Sequence, residues 1–75
     1  MNTILASEKA FLLAKKIEDD GLINIADEIR MAILSGATGL EIAFRLKDKL
    51  STLRKEQKIP SKFLLELENI QKLLN

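Results

Sequence analysis

The side chains able to do chemistry in this 75-residue chain gather in three places. Two are the carboxylate runs Glu18-Asp19-Asp20 and Asp27-Glu28, and the third is the basic stretch from Lys47 to Lys58. Paired carboxylates flanking a bond supply the acid and base of glycoside hydrolysis. Adjacent helical positions diverge by about 100°, however, so neither run presents two carboxylates side by side. Glu18-Asp19-Asp20-Gly21 also lacks the alternating ligand positions of a calcium loop. Gly36-Ala37-Thr38-Gly39 has no following lysine and is not a phosphate loop. The chain contains no His, Cys or Tyr, so the usual bases, nucleophiles and soft metal ligands are missing. A serine–lysine pair is the remaining nucleophilic arrangement, and no spacing singles one out. The chain reads as non-catalytic, with no metal site and no cofactor.

Those charged residues therefore have to be weighed as surfaces. Negative charge at a helix C-terminus opposes the helix dipole, so Glu18 and Asp19 are not placed for the stability of their own helix. The plain reading is a solvated corner in which Asp20 caps the next helix. The functional reading is a docking patch for a basic partner, built from Glu18 and Asp19 and extended by Asp27 and Glu28. On the basic side, Lys47, Arg54 and Lys58 fall within about 40° of one another on a helix, flanked by Ser51 and Lys55. Such a strip suits phosphate contacts, with Lys47, Arg54, Lys55 and Lys58 as the contacting residues. No aromatic residue is interleaved for base stacking, and lysines near a helix C-terminus also suit the dipole.

The net charge of +1 conceals this polarity. Residues 1–41 carry seven carboxylates against four cations, whereas residues 45–62 carry seven cations against two carboxylates. A small chain with an acidic front and a basic back is polarised in a way that concerns partners and solubility before fold.

The elements that must hold these groups are helical. Helices are expected at about 4–19, 22–35, 39–57 and 62–74, in one domain spanning 1–75. In the first, capped by Asn2 or Thr3, one stripe holds Ala6, Ala10, Leu13, Ala14 and Ile17, and its three alanines allow a close neighbour. Leu5 and Leu12 point away from that stripe. They are either covered by a second layer of the bundle or form part of a partner surface. The second helix is amphipathic through Leu22, Ile25, Ala26, Ile29, Ala32 and Ile33.

Gly36 suits the left-handed position that closes a helix, and Thr38 with Glu41 forms a capping box that opens the next. Gly39 costs helix propensity relative to alanine, and its small size suits close packing against the second helix. The third helix buries Ile42, Ala43, Leu46, Leu50 and Leu53, widened by Leu40 and Phe44, and Glu41–Arg45 is a favourable i,i+4 pair. Pro60 ends it and Ser61 caps the fourth, which buries Phe63, Leu64, Leu67, Ile70 and Leu74 while Leu65 and Leu73 point elsewhere. The fold class is all-α: a small bundle of four amphipathic helices with short connections.

Nothing at the N-terminus resembles a signal peptide, and no apolar run approaches the ~20 residues of a membrane span. Absence of cysteine agrees with a reducing cytoplasm.

From Ile25 to Leu74 the chain runs as a helix ending in Ser35-Gly36, a capped helix with a basic C-terminal half, Lys58-Ile59-Pro60, and a Leu-rich last helix. This layout resembles the small four-helix immunity proteins made by bacteriocin producers, especially the class IIa type. The resemblance implies an antiparallel bundle that protects the producing cell, with the C-terminal half contributing to specificity.

The expected function is a bacterial protein-interaction module of immunity or antitoxin type. Its candidate contacts are Leu5, Leu12, Leu65 and Leu73 with Glu18, Asp19 and Asp27, and its partner is another protein or a second copy of the chain. The competing expectation is a nucleic-acid-associated protein using Lys47, Arg54, Lys55 and Lys58.

Overall fold

A computed structural model describes residues 1–75. Helix α1 spans Thr3–Asp19, α2 Ile23–Leu34, α3 Gly39–Lys55 and α4 Leu64–Leu74, the last preceded by a 3-10 turn at Ser61–Phe63. No strand is present. Each helix packs beside its neighbour in sequence, and α4 closes the ring against α1. The contacts run antiparallel: the backbone N–H of Asn2 donates to the carbonyl of Leu73 (2.7 Å), while Lys16 near the other end of α1 meets Glu66 near the start of α4.

The helix ends follow from local chemistry. Asn2 Oδ1 accepts from the backbone N–H of Leu5 (3.2 Å), one of the first-turn donors a helix leaves free. At the other end of α1, Gly21 adopts φ +93°. Its N–H donates to the Glu18 carbonyl (2.8 Å), and the Leu22 N–H donates to that of Ile17 (3.2 Å). This Schellman closure needs a left-handed residue, which glycine supplies without strain. The left-handed glycine is therefore Gly21 and not Gly36. A Cβ on Gly36 would instead lie 2.5 Å from Ile42 Cγ1 and 2.9 Å from the Ile42 backbone nitrogen, so this glycine is required for space. Around Gly39, by contrast, nothing lies within 4 Å of an added Cβ, so the close approach expected there occurs three residues earlier.

Thr38 caps α3, its Oγ1 accepting from the Glu41 N–H (3.1 Å). Only half of the capping box forms, because the Glu41 carboxylate accepts from Arg45 Nε (3.2 Å). Helix α3 stops at Lys55, two residues short of expectation and well before Pro60. Gln57 takes φ 57°, with Gln57 N–H donating to the Arg54 carbonyl (3.0 Å) and Lys58 N–H to that of Leu53 (2.9 Å). This second Schellman closure turns the chain so that Ile59 is buried in the core. No side chain caps α4; Ser61 lies within the 3-10 turn, so α4 begins two residues later than expected. Asp20 does not cap α2 either, since Leu22 occupies that position and the Asp20 carboxylate accepts from Lys62.

Eighteen residues are buried, and all are apolar. They include the whole α1 stripe, and Ala6, Ala10 and Ala14 have no exposed surface. These methyl-sized side chains let α1 touch each of the other three helices, including α3 across the bundle. Leu40 and Phe44 do not widen the core of α3. They remain 58% and 59% exposed, being turned about 80–160° from Leu46 and Leu50. No helix is long and apolar enough to cross a membrane.

Candidate interaction surfaces

The acidic corner is tied up locally. Glu18 Oε1 accepts from Arg30 Nη1 (2.7 Å), which also donates to Asp27 Oδ1 (3.1 Å), and Lys15 donates to Asp19 Oδ1 (2.9 Å). The hydrogen bond to Glu18 holds the Arg30 guanidinium protonated beyond its usual range, and the bond to Asp19 raises the Lys15 ammonium. Glu18, Asp19 and Asp27 thus each carry a cationic partner, and the charge that opposes the dipole of α1 is compensated by Lys15 and Arg30.

Across the bundle, the acidic front of the sequence meets its basic back. Asp20 pairs with Lys62, and Glu28 with Lys49 (3.2 Å). Exposed pairs of this kind contribute only about 0–1 kcal/mol each. Their larger effect is to remove charge that the sequence left looking available.

The basic strip is interrupted by the same means. Arg54 donates to Glu68 Oε1 (2.8 Å) and Gln71 Oε1 (3.1 Å) on α4. Lys58 lies beyond the end of α3, off the helical strip, and sits 3.4 Å from Glu56. Lys47 and Lys55 make no ion pair. On the outer side of α3 they share a stripe with exposed Leu40 and Phe44, a combination that the sequence pattern obscured by counting both apolar residues as core.

The four candidate leucines do not form one patch. Leu12 is 64% exposed and Leu5 is 36% exposed, both on the outer side of α1, so neither is covered by a second layer of the bundle. Leu73 is half-buried and packs against the core. Leu65 is exposed on α4, about 100° round from Glu66, the residue that meets α1 through Lys16. Two further residues belong with Leu5 and Leu12: Ile4 (77% exposed) and Phe11. Their spacing of seven repeats that of Leu5 and Leu12, which was the signal available in the sequence.

Two open grooves mark the surface. One, of about 600 Å³ between α2 and α3, is lined mainly by charged residues including Asp27, Glu28, Arg45 and Lys49. The other, of about 400 Å³, lies in the α1–α4 seam, with Leu12 beside Lys9, Lys16 and Glu66. No group of three acidic side chains converges closely enough to hold a metal ion. Comparison with known proteins found no match, whether to a family model, a curated protein or a solved structure.

Proposed function

We propose that this chain is a small non-catalytic protein-interaction module that presents the outer face of α1 to a protein partner. The carrying observation is that Ile4 with Phe11, and Leu5 with Leu12, stand 36–77% exposed in two rows of α1 on either side of Glu8 and Lys15, while eighteen other apolar residues close the core. Single exposed apolar residues are ordinary, whereas contiguous ones on one element mark contact surfaces. The resemblance in layout to bacteriocin immunity proteins supports an immunity or antitoxin role in a bacterium, and the cysteine-free composition supports a cytoplasmic setting.

The competing nucleic-acid reading retains Lys47 and Lys55 as its unpaired cations. Each phosphate neutralised contributes about 0.9 to the slope of log affinity against log salt. Two lysines therefore give a slope of about −1.8, against about −3.6 for the four residues of the sequence strip.

The test is a photo-reactive residue at position 12, or separately at position 47, in cells making the protein at native level. The module reading expects a protein adduct from position 12 that Phe11→Ser abolishes. Adducts to nucleic acid from position 47, with none to protein from position 12, overturn it.

A further inference from the structure

Resting on that reading of α1, we infer that its outer face takes a second copy of this chain, packed antiparallel about a two-fold axis. At about 100° per residue, Ile4 and Phe11 form one row along this face and Leu5 and Leu12 another. Between them run Glu8 and Lys15, also seven apart. Both charged residues are exposed. Lys15 is held by Asp19 and Glu18, but Glu8 has no ion-pair partner, a state it shares among carboxylates only with Asp48. An uncompensated carboxylate between two apolar rows is the feature that the isolated chain leaves unexplained.

A two-fold interface is self-complementary: if residue i meets residue j, then j meets i. Centre that axis between Phe11 and Leu12, and Glu8 faces Lys15 of the second copy on both sides. The same register brings Phe11 and Leu12 of the two copies together at the axis, with Ile4 level with Asp19 and Leu5 level with Glu18 of the second copy. Centring the axis on Glu8 instead would oppose two like carboxylates, which disfavours that register. On the outer stripe of α3 the charges without an ion pair beside Leu40 and Phe44 are Lys47, Asp48 and Lys55, and setting Asp48 against Lys47 of a second copy places Phe44 against Ser51 and Leu40 against Lys55. Helix α1 is about 25 Å long, and one helix lying on another falls at the small end of specific interfaces. The dimer is therefore concentration-dependent.

Sedimentation equilibrium of the full chain across a wide concentration range tests this. The expected result is a rise from 8.4 kDa toward twice that mass. Glu8→Lys, which removes no bond within the fold, should weaken the dimer about tenfold or more by opposing two cations. Glu8→Lys with Lys15→Glu should restore the dimer, since the exchanged pair is again complementary. Because Lys15→Glu also breaks contacts to Asp19 and Glu18, a second measurement covers a poorly folded double variant. Phe11→Cys and Leu12→Cys chains, mixed in equal amounts and oxidised, should form the mixed disulfide in excess of its statistical half. A chain that stays monomeric overturns the inference, as does a dimer indifferent to Glu8→Lys or a purely statistical disulfide pattern. A monomer that still cross-links from position 12 to a different protein overturns only the second copy and leaves the module reading standing.

Discussion

Replacing Gly36 by alanine tests whether the α2–α3 corner is limited by space. Gly36 does not use a positive φ, so alanine meets no backbone strain there, and it stiffens the unfolded chain by about 0.4–1 kcal/mol in favour of folding. Against that gain, the new Cβ meets Ile42 at Cγ1 (2.5 Å), N (2.9 Å) and Cα (3.0 Å). The side-chain contact can be relieved by rotating Ile42. The two backbone contacts cannot, because they belong to the first turns of α3, fixed by the Thr38 cap. Overpacking of this kind costs about 1–3 kcal/mol, leaving a net destabilisation of about 1–2 kcal/mol. For a domain of this size that lowers Tm by about 5–15 °C.

Gly39→Ala is the matched control. It sits three residues on, has open space around it, and should gain up to about 1 kcal/mol in helix propensity. Urea unfolding followed by far-ultraviolet circular dichroism reads both variants, with unchanged m-values confirming that the folded state is what moved. Repeating Gly36→Ala in an Ile42→Ala background removes Cγ1 but neither backbone atom of the three that the new Cβ meets, and part of the penalty should survive. A Gly36→Ala protein as stable as wild type would refute the steric argument, because alanine is otherwise favoured at that position.

Further expectations follow from the same packing. Gln57→Gly relieves a non-glycine residue at φ 57° and should raise stability by about 0.5–1 kcal/mol, measured as a Tm increase of a few degrees. Ala10→Leu forces extra volume where α1 crosses the bundle and should cost about 1–3 kcal/mol in urea unfolding. The Lys15 pKa is raised above 10.5 by its hydrogen bond to Asp19, so its stabilisation is complete below that value and is lost as pH rises through the folded-state pKa. The Tm difference between wild type and Lys15→Met should accordingly be small but present at pH about 8 and vanish well above the lysine range.

Helix stripes were legible in the sequence because a 3.6-residue period states which side of a helix is apolar without reference to any neighbour. Every residue of the α1 stripe is buried on that ground alone. What the period does not state is how far round the helix the core extends. Leu40 and Phe44 were apolar and close in sequence to the α3 stripe, yet they face solvent because no helix covers that angle. Ile59 shows the opposite failure: it belongs to no period and is buried because the left-handed Gln57 turns the chain inward. The ion pairs escape sequence reasoning for a related reason. Asp20 and Lys62 are 42 positions apart, and only the closed ring of helices brings them together. A charge imbalance along the sequence is thus no guide to an imbalance on the surface until such pairs have been removed.

Once they are removed, α1, like α2 with Ile23, Met31 and Leu34 and α3 with Leu40 and Phe44, keeps exposed apolar residues. The alanine-rich side of α1 is sealed against the other three helices, so the fold has no further use for apolar surface on this element. Yet its opposite side carries Ile4, Leu5, Phe11 and Leu12, and a helix apolar on two faces is normally a covered helix. Folding alone would be served as well by lysine or glutamate at these positions, which have comparable helix propensity and keep a chain soluble. The proposed contact outside the chain would account for the apolar outer face that this helix keeps. The unpaired Glu8 and the oppositely charged Lys15 on that face then determine which register such a contact can adopt.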